Sequence, residues 1–263
     1  FVLCRAYLNS NYQTGLKNLM DIAVIERTDE LVKTGEIDAA VLSSYRKTDE
    51  LPFDFERRRM SVVVEDATGR EMLLTKGAVE EMLAVCAYAE KADGRTALTE
   101  EVRREVLALA DGLNAKGMRV LALARRLDPP LPLTAAEERE MTLVGLLAFL
   151  DPPKPTPAAA IRRLNKAGVA GKVLTGDNEK VAACICEKVG LRTGRILLGS
   201  DVEAMTEEEL RAAAEETAVF AKLSPLQKAR VVACLRANGH AVGYMGDGIN
   251  DAPAMRAADV GIS

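Results

Sequence analysis

From residue 157 onward the sequence alternates short apolar runs with helix-patterned segments, and the runs stop at glycine, aspartate or serine. The pattern predicts helices over 157–167 and 179–189, one opened by a Thr206 to Glu209 capping box, and one opened by Ser224-Pro225 that carries Lys228. Strands are expected over 172–175 and 219–223, with a last one from about 241 into Gly246-Asp247. Strands alternating with helices imply a parallel sheet, so the fold class for this stretch is α/β and doubly wound. Such sheets bind ligands beyond the carboxyl ends of their strands. That edge receives Thr175-Gly176-Asp177, Lys228, and the loop Gly246-Asp247-Gly248-Ile249-Asn250-Asp251. Carboxylate oxygens suit Mg²⁺ bound beside phosphate, and glycines on both sides of Asp247 let a backbone approach a ligand closely. Alone, a Thr-Gly-Asp or Gly-Asp-Gly is an ordinary cap or turn; the three elements in this order carry the reading.

The first 150 residues have a different grammar. Residues 19–26 are apolar at helical spacing, with Asp21 in the first turn. Two β-rich segments, 51–65 and 71–77, flank Thr68-Gly69 and predict an antiparallel hairpin with Lys76-Gly77 at its far end. Helices are expected over 78–90 and 99–116, and strands over 118–124, carrying Arg119, and 143–150. Asp151-Pro152-Pro153-Lys154-Pro155 stiffens the chain, so the boundary is expected there, giving domains 1–150 and 151–263. Phe53 and Phe55 with Arg57, Arg58 and Arg59 read in two ways. They are core aromatics beside a solvated charge run, or, with Lys76 and Arg119, a face that stacks a base and neutralises phosphates. Glu137, Glu138 and Glu140 read as a surface loop. There is no G-x-x-x-x-G-K-[ST] loop.

Composition removes several classes of function. Lys+Arg 35 against Asp+Glu 39 gives a net charge of −4, without the basic field that nucleic acid requires. Five cysteines form no C-x-x-C pair and read as buried thiols of a reducing compartment. No apolar run approaches the roughly 20 residues of a membrane helix, so the expectation is a soluble piece. The lone His240 reads as structural.

Gly246-Asp-Gly-Ile-Asn-Asp-Ala-Pro253 with Ala258-Asp-Val-Gly-Ile-Ser263 resembles the hinge motif of P-type cation-transporting ATPases, which belong to the haloacid-dehalogenase-like phosphotransferases. Pro52-Phe-Asp54, Lys76-Gly-Ala-Val-Glu80 and Gly117-Met-Arg-Val-Leu-Ala122 are similar to signatures of that family's nucleotide-binding domain. Asp151-Pro-Pro-Lys154 is similar to its D-P-P-R element, with Lys in place of Arg. The resemblance implies an α+β nucleotide-binding domain with an antiparallel sheet over 1–150, and an incomplete haloacid-dehalogenase-like phosphorylation domain over 151–263. It implies ATP and Mg²⁺ as ligands. Phe53 would stack on adenine, Lys76 and Gly77 would line the purine pocket, and Arg119, Arg58 and Asp21 would be further contacts to the nucleotide. Thr175 would bind a phosphoryl oxygen, with Asp177 beside it. Lys228 would neutralise charge, Asp247 would hold Mg²⁺ with Asp251 in support, and Asn250 would add a polar contact.

The family's phosphorylated Asp-Lys-Thr-Gly-Thr and its actuator Thr-Gly-Glu-Ser are absent from the sequence, and both ends read as cuts. The expectation is a cytoplasmic piece of a larger pump, inactive alone, whose partners are the actuator and transmembrane domains at the bacterial inner membrane. Segments 8–18, 50–61 and 149–154 are similar to the bacterial magnesium-importing members. A pump for calcium or protons, a soluble phosphatase of the same fold, and a non-catalytic nucleotide-binding module are the alternatives.

Overall fold

The structure is a computed structural model that describes residues 1–15, 17–92, 94–151, 154, 156–246 and 249–263. The Pro152-Pro153 hinge and the loop residues Asp247 and Gly248 lie outside the described residues. Two compact units emerge: Phe1–Gly112 with Val120–Phe149, and Leu113–Arg119 with Leu150–Ser263.

Up to residue 150 the elements are α1 (Val2–Tyr12), α2 (Leu19–Lys33), α3 (Ala39–Ser43), β1 (Arg46–Asp54), β2 (Arg59–Glu65), β3 (Glu71–Ala78), α4 (Val79–Val85), β4 (Cys86–Lys91), β5 (Gly94–Ala97), α5 (Glu100–Asn114), β6 (Met118–Leu127) and β7 (Met141–Leu150). The strands form one seven-stranded sheet in the order β1-β2-β3-β6-β7-β4-β5. β1 with β2, β2 with β3, β3 with β6 and β4 with β5 are antiparallel, while β4 joins β7 in parallel.

Side chains alternate across a strand, and both faces of β2 and β3 are buried. Met60, Val62, Val64, Met72 and Leu74 meet Leu8 of α1 on one face. Val63 and Leu73 meet Met82 and Leu83 of α4 and Val102 of α5 on the other. This two-sided burial explains the near-continuous apolar run Met60 to Val64, interrupted only by Ser61. The helix expected over 78–90 stops at Val85. The rest becomes β4, because Cys86, Tyr88 and Ala89 pair with Met141, Thr142 and Leu143, and that pairing overrides an Ala- and Glu-rich helical propensity.

Beyond residue 150 come α6 (Pro157–Lys166), β8 (Val173–Leu174), α7 (Glu179–Val189), β9 (Ile196–Leu198), α8 (Gly199–Ala204), α9 (Glu207–Glu216), β10 (Val219–Ala221), α10 (Pro225–Ala237), β11 (Gly243–Met245), α11 (Ala252–Ala257) and β12 (Val260–Ile262). As the sequence expects, Thr206 and Glu209 form the capping box of α9 and Ser224 caps α10, where Gln227 completes a second box; α7 is capped by Asn178 rather than by Asp177. Strands β8, β10 and β9 pair in parallel around the fully buried Phe220. β11 does not extend that sheet; it pairs in parallel with β12. Leu174 of β8 nevertheless packs against Val232 and Tyr244, so β8 and β11 share a core. No helix among the described residues is long and apolar enough to cross a membrane. All five cysteines are free, with Cys86, Cys186 and Cys234 buried and Cys4 and Cys184 half-buried.

One glycine is fixed by strand spacing. A Cβ on Gly77 would lie 2.5 Å from Arg59 Cβ and 2.6 Å from the Arg58 carbonyl oxygen, against backbone that is held on both sides of β3. Gly77→Ala is expected to destabilise the chain by about 1–3 kcal/mol, as overpacking does. A urea titration checks this; an unchanged midpoint would mean that β2 yields freely there.

Candidate functional site

Antiparallel register gathers the sequence-distant signatures of the first unit. Asp54 pairs with Arg59, Arg59 with Gly77, and Gly77 with Ala122, so β1, β2, β3 and β6 present them in one row. Between Asp54 and Arg59 the chain makes a tight turn. The Asp54 carboxylate accepts N–H bonds from Arg57 at 2.7 Å and Glu56 at 2.9 Å, and the former above all holds its carboxyl below the usual range. Arg58 takes a left-handed φ of 49° and its N–H donates to the Asp54 carbonyl. Phe53 and Phe55 flank Asp54, each about half exposed, edge to face with ring centroids 5.2 Å apart. Such rings are free to stack against a planar ligand.

The three arginines are neither a solvated run nor a common phosphate clamp. Arg57 donates to Glu138 Oε1 at 2.7 Å and Arg59 to Oε2 at 2.6 Å, with Ser61 Oγ adding a third bond at 2.6 Å. Glu138, expected in a surface loop, is 2% exposed. A buried carboxylate needs such partners, and the two guanidiniums are consumed in supplying them. Arg58 points elsewhere, with Nη1 3.4 Å from Glu81 Oε1. Sequence reasoning missed Glu138, whose only signal was that adjacent arginines need a counter-charge.

Lys76 and Asp21 are brought together. The Lys76 ammonium bonds the Asp21 carboxylate and donates to Ser10 Oγ at 2.7 Å; Gln13 Nε2 donates to Asp21 Oδ2 at 2.6 Å. Both are buried beside a cavity of about one water's size that Leu121 and Phe149 also line. Burial by itself raises the Asp21 carboxyl, but the Lys76 charge and the bonds from Lys76, Gln13 and Ser10 together hold it below its ordinary value. Burial lowers the Lys76 ammonium, and Asp21 only partly offsets that.

In the second unit, three segments converge beyond the strand ends. Thr175 N–H donates to Phe220 O, Leu223 N–H to Thr175 O, and Lys222 N–H to Asp177 O, which docks the loop after β8 onto the loop after β10. Thr175 Oγ1 accepts from Asp177 N–H at 3.1 Å. Arg119, grouped with this unit, donates to Asp177 Oδ2 at 2.9 Å. Lys228 Nζ and Tyr244 Oη both donate to Asp251 Oδ1 at 2.8 Å. A Cβ on Gly246 would lie 2.7 Å from Asp251 Oδ2, so the carboxylate folds back against bare backbone. Asn250 is exposed. Asp247 lies outside the described residues, and among the described residues no group of three or more His, Cys, Asp or Glu could hold a metal. Asp251 has the hard oxygens Mg²⁺ prefers, but Lys228 already neutralises one of them, which suits support rather than sole ligation.

Comparison with known proteins decides the family. The model described as P-type ATPase, cytoplasmic domain N, matches residues 3–156, more than half of the chain. The chain belongs to the P-type ATPases. It is 48% identical over 264 residues to the "Magnesium-transporting ATPase, P-type 1" of Escherichia coli (strain K12), covering 100% of this chain and 29% of that protein. A protein of the same description from Salmonella typhimurium (strain LT2) is 50% identical over 267 residues, again covering 100% of this chain and 29% of the relative. A "Probable cation-transporting ATPase F" of Mycobacterium bovis is 37% identical over 222 residues, 81% of this chain and 24% of that protein. The chain thus spans 29% of the length of the magnesium-transporting members it matches.

The Asp21–Lys76 pair sets a double test. Asp21→Asn leaves a buried ammonium without its counter-charge and is expected to cost about 3–5 kcal/mol. Asp21→Asn combined with Lys76→Met is expected to cost less than Asp21→Asn alone. Because the Asp21 carboxyl is depressed by folding, its contribution is present above its ordinary value of 3.8 and is lost as pH falls through the folded value. Chemical denaturation at neutral and acid pH measures both; a double variant as unstable as the single one would show that the pair is not energetically coupled.

Proposed function

We propose that this chain is the nucleotide-binding and phosphoryl-handling part of a P-type ATPase that couples ATP hydrolysis, through an aspartyl phosphate, to magnesium ion transport across a membrane. The observation that carries this reading is that similarity to magnesium-transporting members extends over the whole chain and not over the family's nucleotide domain alone. On this reading residues 1–150 are the nucleotide-binding domain and 151–263 a haloacid-dehalogenase-like phosphorylation domain. The phosphorylated Asp comes from a segment of the longer protein outside this chain, and the actuator and transmembrane domains are its partners at the cytoplasmic face of the bacterial inner membrane. A separate parallel pair, β11 and β12, beside the parallel β8-β10-β9 sheet, supports an unfinished sheet of that kind.

The residues fit ATP in kind. The exposed ring of Phe53 supplies a stacking face for adenine, Lys76, Gly77 and Asp21 border the same row of strands, and Arg58 lies on the adjoining turn. Arg119 meets the phosphates in this scheme, exchanging its bond to Asp177 for them. Thr175 holds a phosphoryl oxygen through its hydroxyl, and Asp177 orients that loop. Lys228 neutralises developing charge, its ammonium fixed by Asp251, whose carboxylate Tyr244 Oη holds in turn. Asp247 and Asp251 would hold Mg²⁺, which when bound neutralises phosphoryl oxygens; Asn250 adds a neutral donor. Nucleic acid has no part in this scheme.

Titration of ATP with Mg²⁺ into the chain is expected to show saturable binding. Phe53→Ala is expected to weaken it by about 1–3 kcal/mol, the worth of a base–aromatic stack. Wild-type affinity in Phe53→Ala would put the adenine elsewhere.

A further inference from the structure

Among the described residues of the first unit, Glu138 and Asp21 have the most completely buried carboxylates, and nothing in the nucleotide-binding scheme uses Glu138. Its two oxygens hold three donors: Arg57, Arg59 and Ser61, the last in turn bonded to Thr75 of β3 at 2.7 Å. What sets this apart from an ordinary core ion cluster is the other arm of Arg57. Its Nη2 donates to the Pro52 carbonyl at 2.7 Å, the peptide that leads directly into Phe53. Arg59 Nη1 also donates to the Arg57 carbonyl at 3.3 Å, closing the turn from its other end. Beyond the bonds that Asp54 makes within the turn, the turn is thus tied by Arg57 and Arg59 to one buried carboxylate, in a segment where strand pairing is interrupted: β1 and β2 slip register between Leu51 and Asp54.

We propose that Glu138 is a positioning residue for the nucleotide. Through Arg57 it fixes the backbone at Pro52 and hence the direction in which the Phe53 ring faces. The proposal rests on the reading of Phe53 as the base-stacking side chain. Glu138 itself touches no ligand; it acts by removing the freedom of a turn that would otherwise have to be ordered when nucleotide binds, a cost that preorganisation avoids. Arg57 is the relay because a planar guanidinium can grip a carboxylate and a carbonyl at once, which a lysine ammonium on a flexible stem does less rigidly.

The test is a double-mutant cycle on the full chain, read by calorimetric titration of ATP with Mg²⁺. Glu138→Gln is expected to weaken ATP about tenfold when Phe53 is present and to change affinity by less than about twofold in a Phe53→Ala background. An equal loss in both backgrounds would mean a general structural effect and would overturn the proposal. Phe53→Ala with wild-type affinity would instead overturn the stacking assignment, and the proposal with it. If Glu138→Gln does not fold, Arg57→Met keeps Glu138 bonded to Arg59 and Ser61, and the same cycle applies. A direct readout is available because the chain has no tryptophan. Phe53→Trp introduces a single indole, whose fluorescence anisotropy without ligand is expected to fall when Arg57→Met is added; an unchanged value would overturn the proposal.

Discussion

The first unit depends on the antiparallel register that sets Asp54, Arg59, Gly77 and Ala122 side by side. Hydrogen-bond pairing has a period of two, so a slip of one residue would turn Met60, Val62 and Val64 from the α1 face to the α4 face and scatter the signature segments. Burial on both faces makes such a slip expensive, and the bare backbone of Gly77 lets β2 and β3 close at the row where a side chain would hold them apart. The core and the candidate site are thus specified by the same pairings.

Within that frame, charge is sorted by burial. Arg57 and Arg59 are spent on Glu138, and Lys76 on Asp21, each in a place where an unpaired ion would be costly. In the second unit Lys228 and Arg119 are likewise paired, with Asp251 and Asp177. Cations that the sequence offers as an undifferentiated supply therefore divide into those paired with fully buried carboxylates and those whose partners are only partly buried. Arg58, on a strained left-handed turn, is the one member of its triplet directed away from Glu138.

Much of this was legible in the residues. Capping boxes, Pro at the first helical position, and alternating strand and helix patterns located α7, α9, α10, β8 and β10 to within a few positions, because those signals are local. The helix starting at Val79 was legible too, but its end was not, since pairing with β7 converts Cys86–Lys91 to strand and no residue nearby announces it. β9 escaped notice although it is no shorter than β8 and β10. Glu138 looked like any loop glutamate, for its partners lie some eighty residues away, in the turn before β2 and at the start of that strand. Arg119, recognised as a cation on a strand, gave no sign in the sequence that Asp177 would be its partner.

The place of β4 in the sheet has a consequence for how the chain is made. Synthesis delivers β1, β2 and β3 in the order in which they sit, so that part of the sheet can assemble as it emerges. The β4–β5 hairpin reaches its neighbour β7 only after α5, β6 and the following loop have been added. Until then Cys86 and Ala89 have no strand to cover them, and the hairpin is an open edge of the kind that invites pairing with other chains. The slowest and most aggregation-exposed step in making this domain is therefore expected to be the capture of that hairpin by β7.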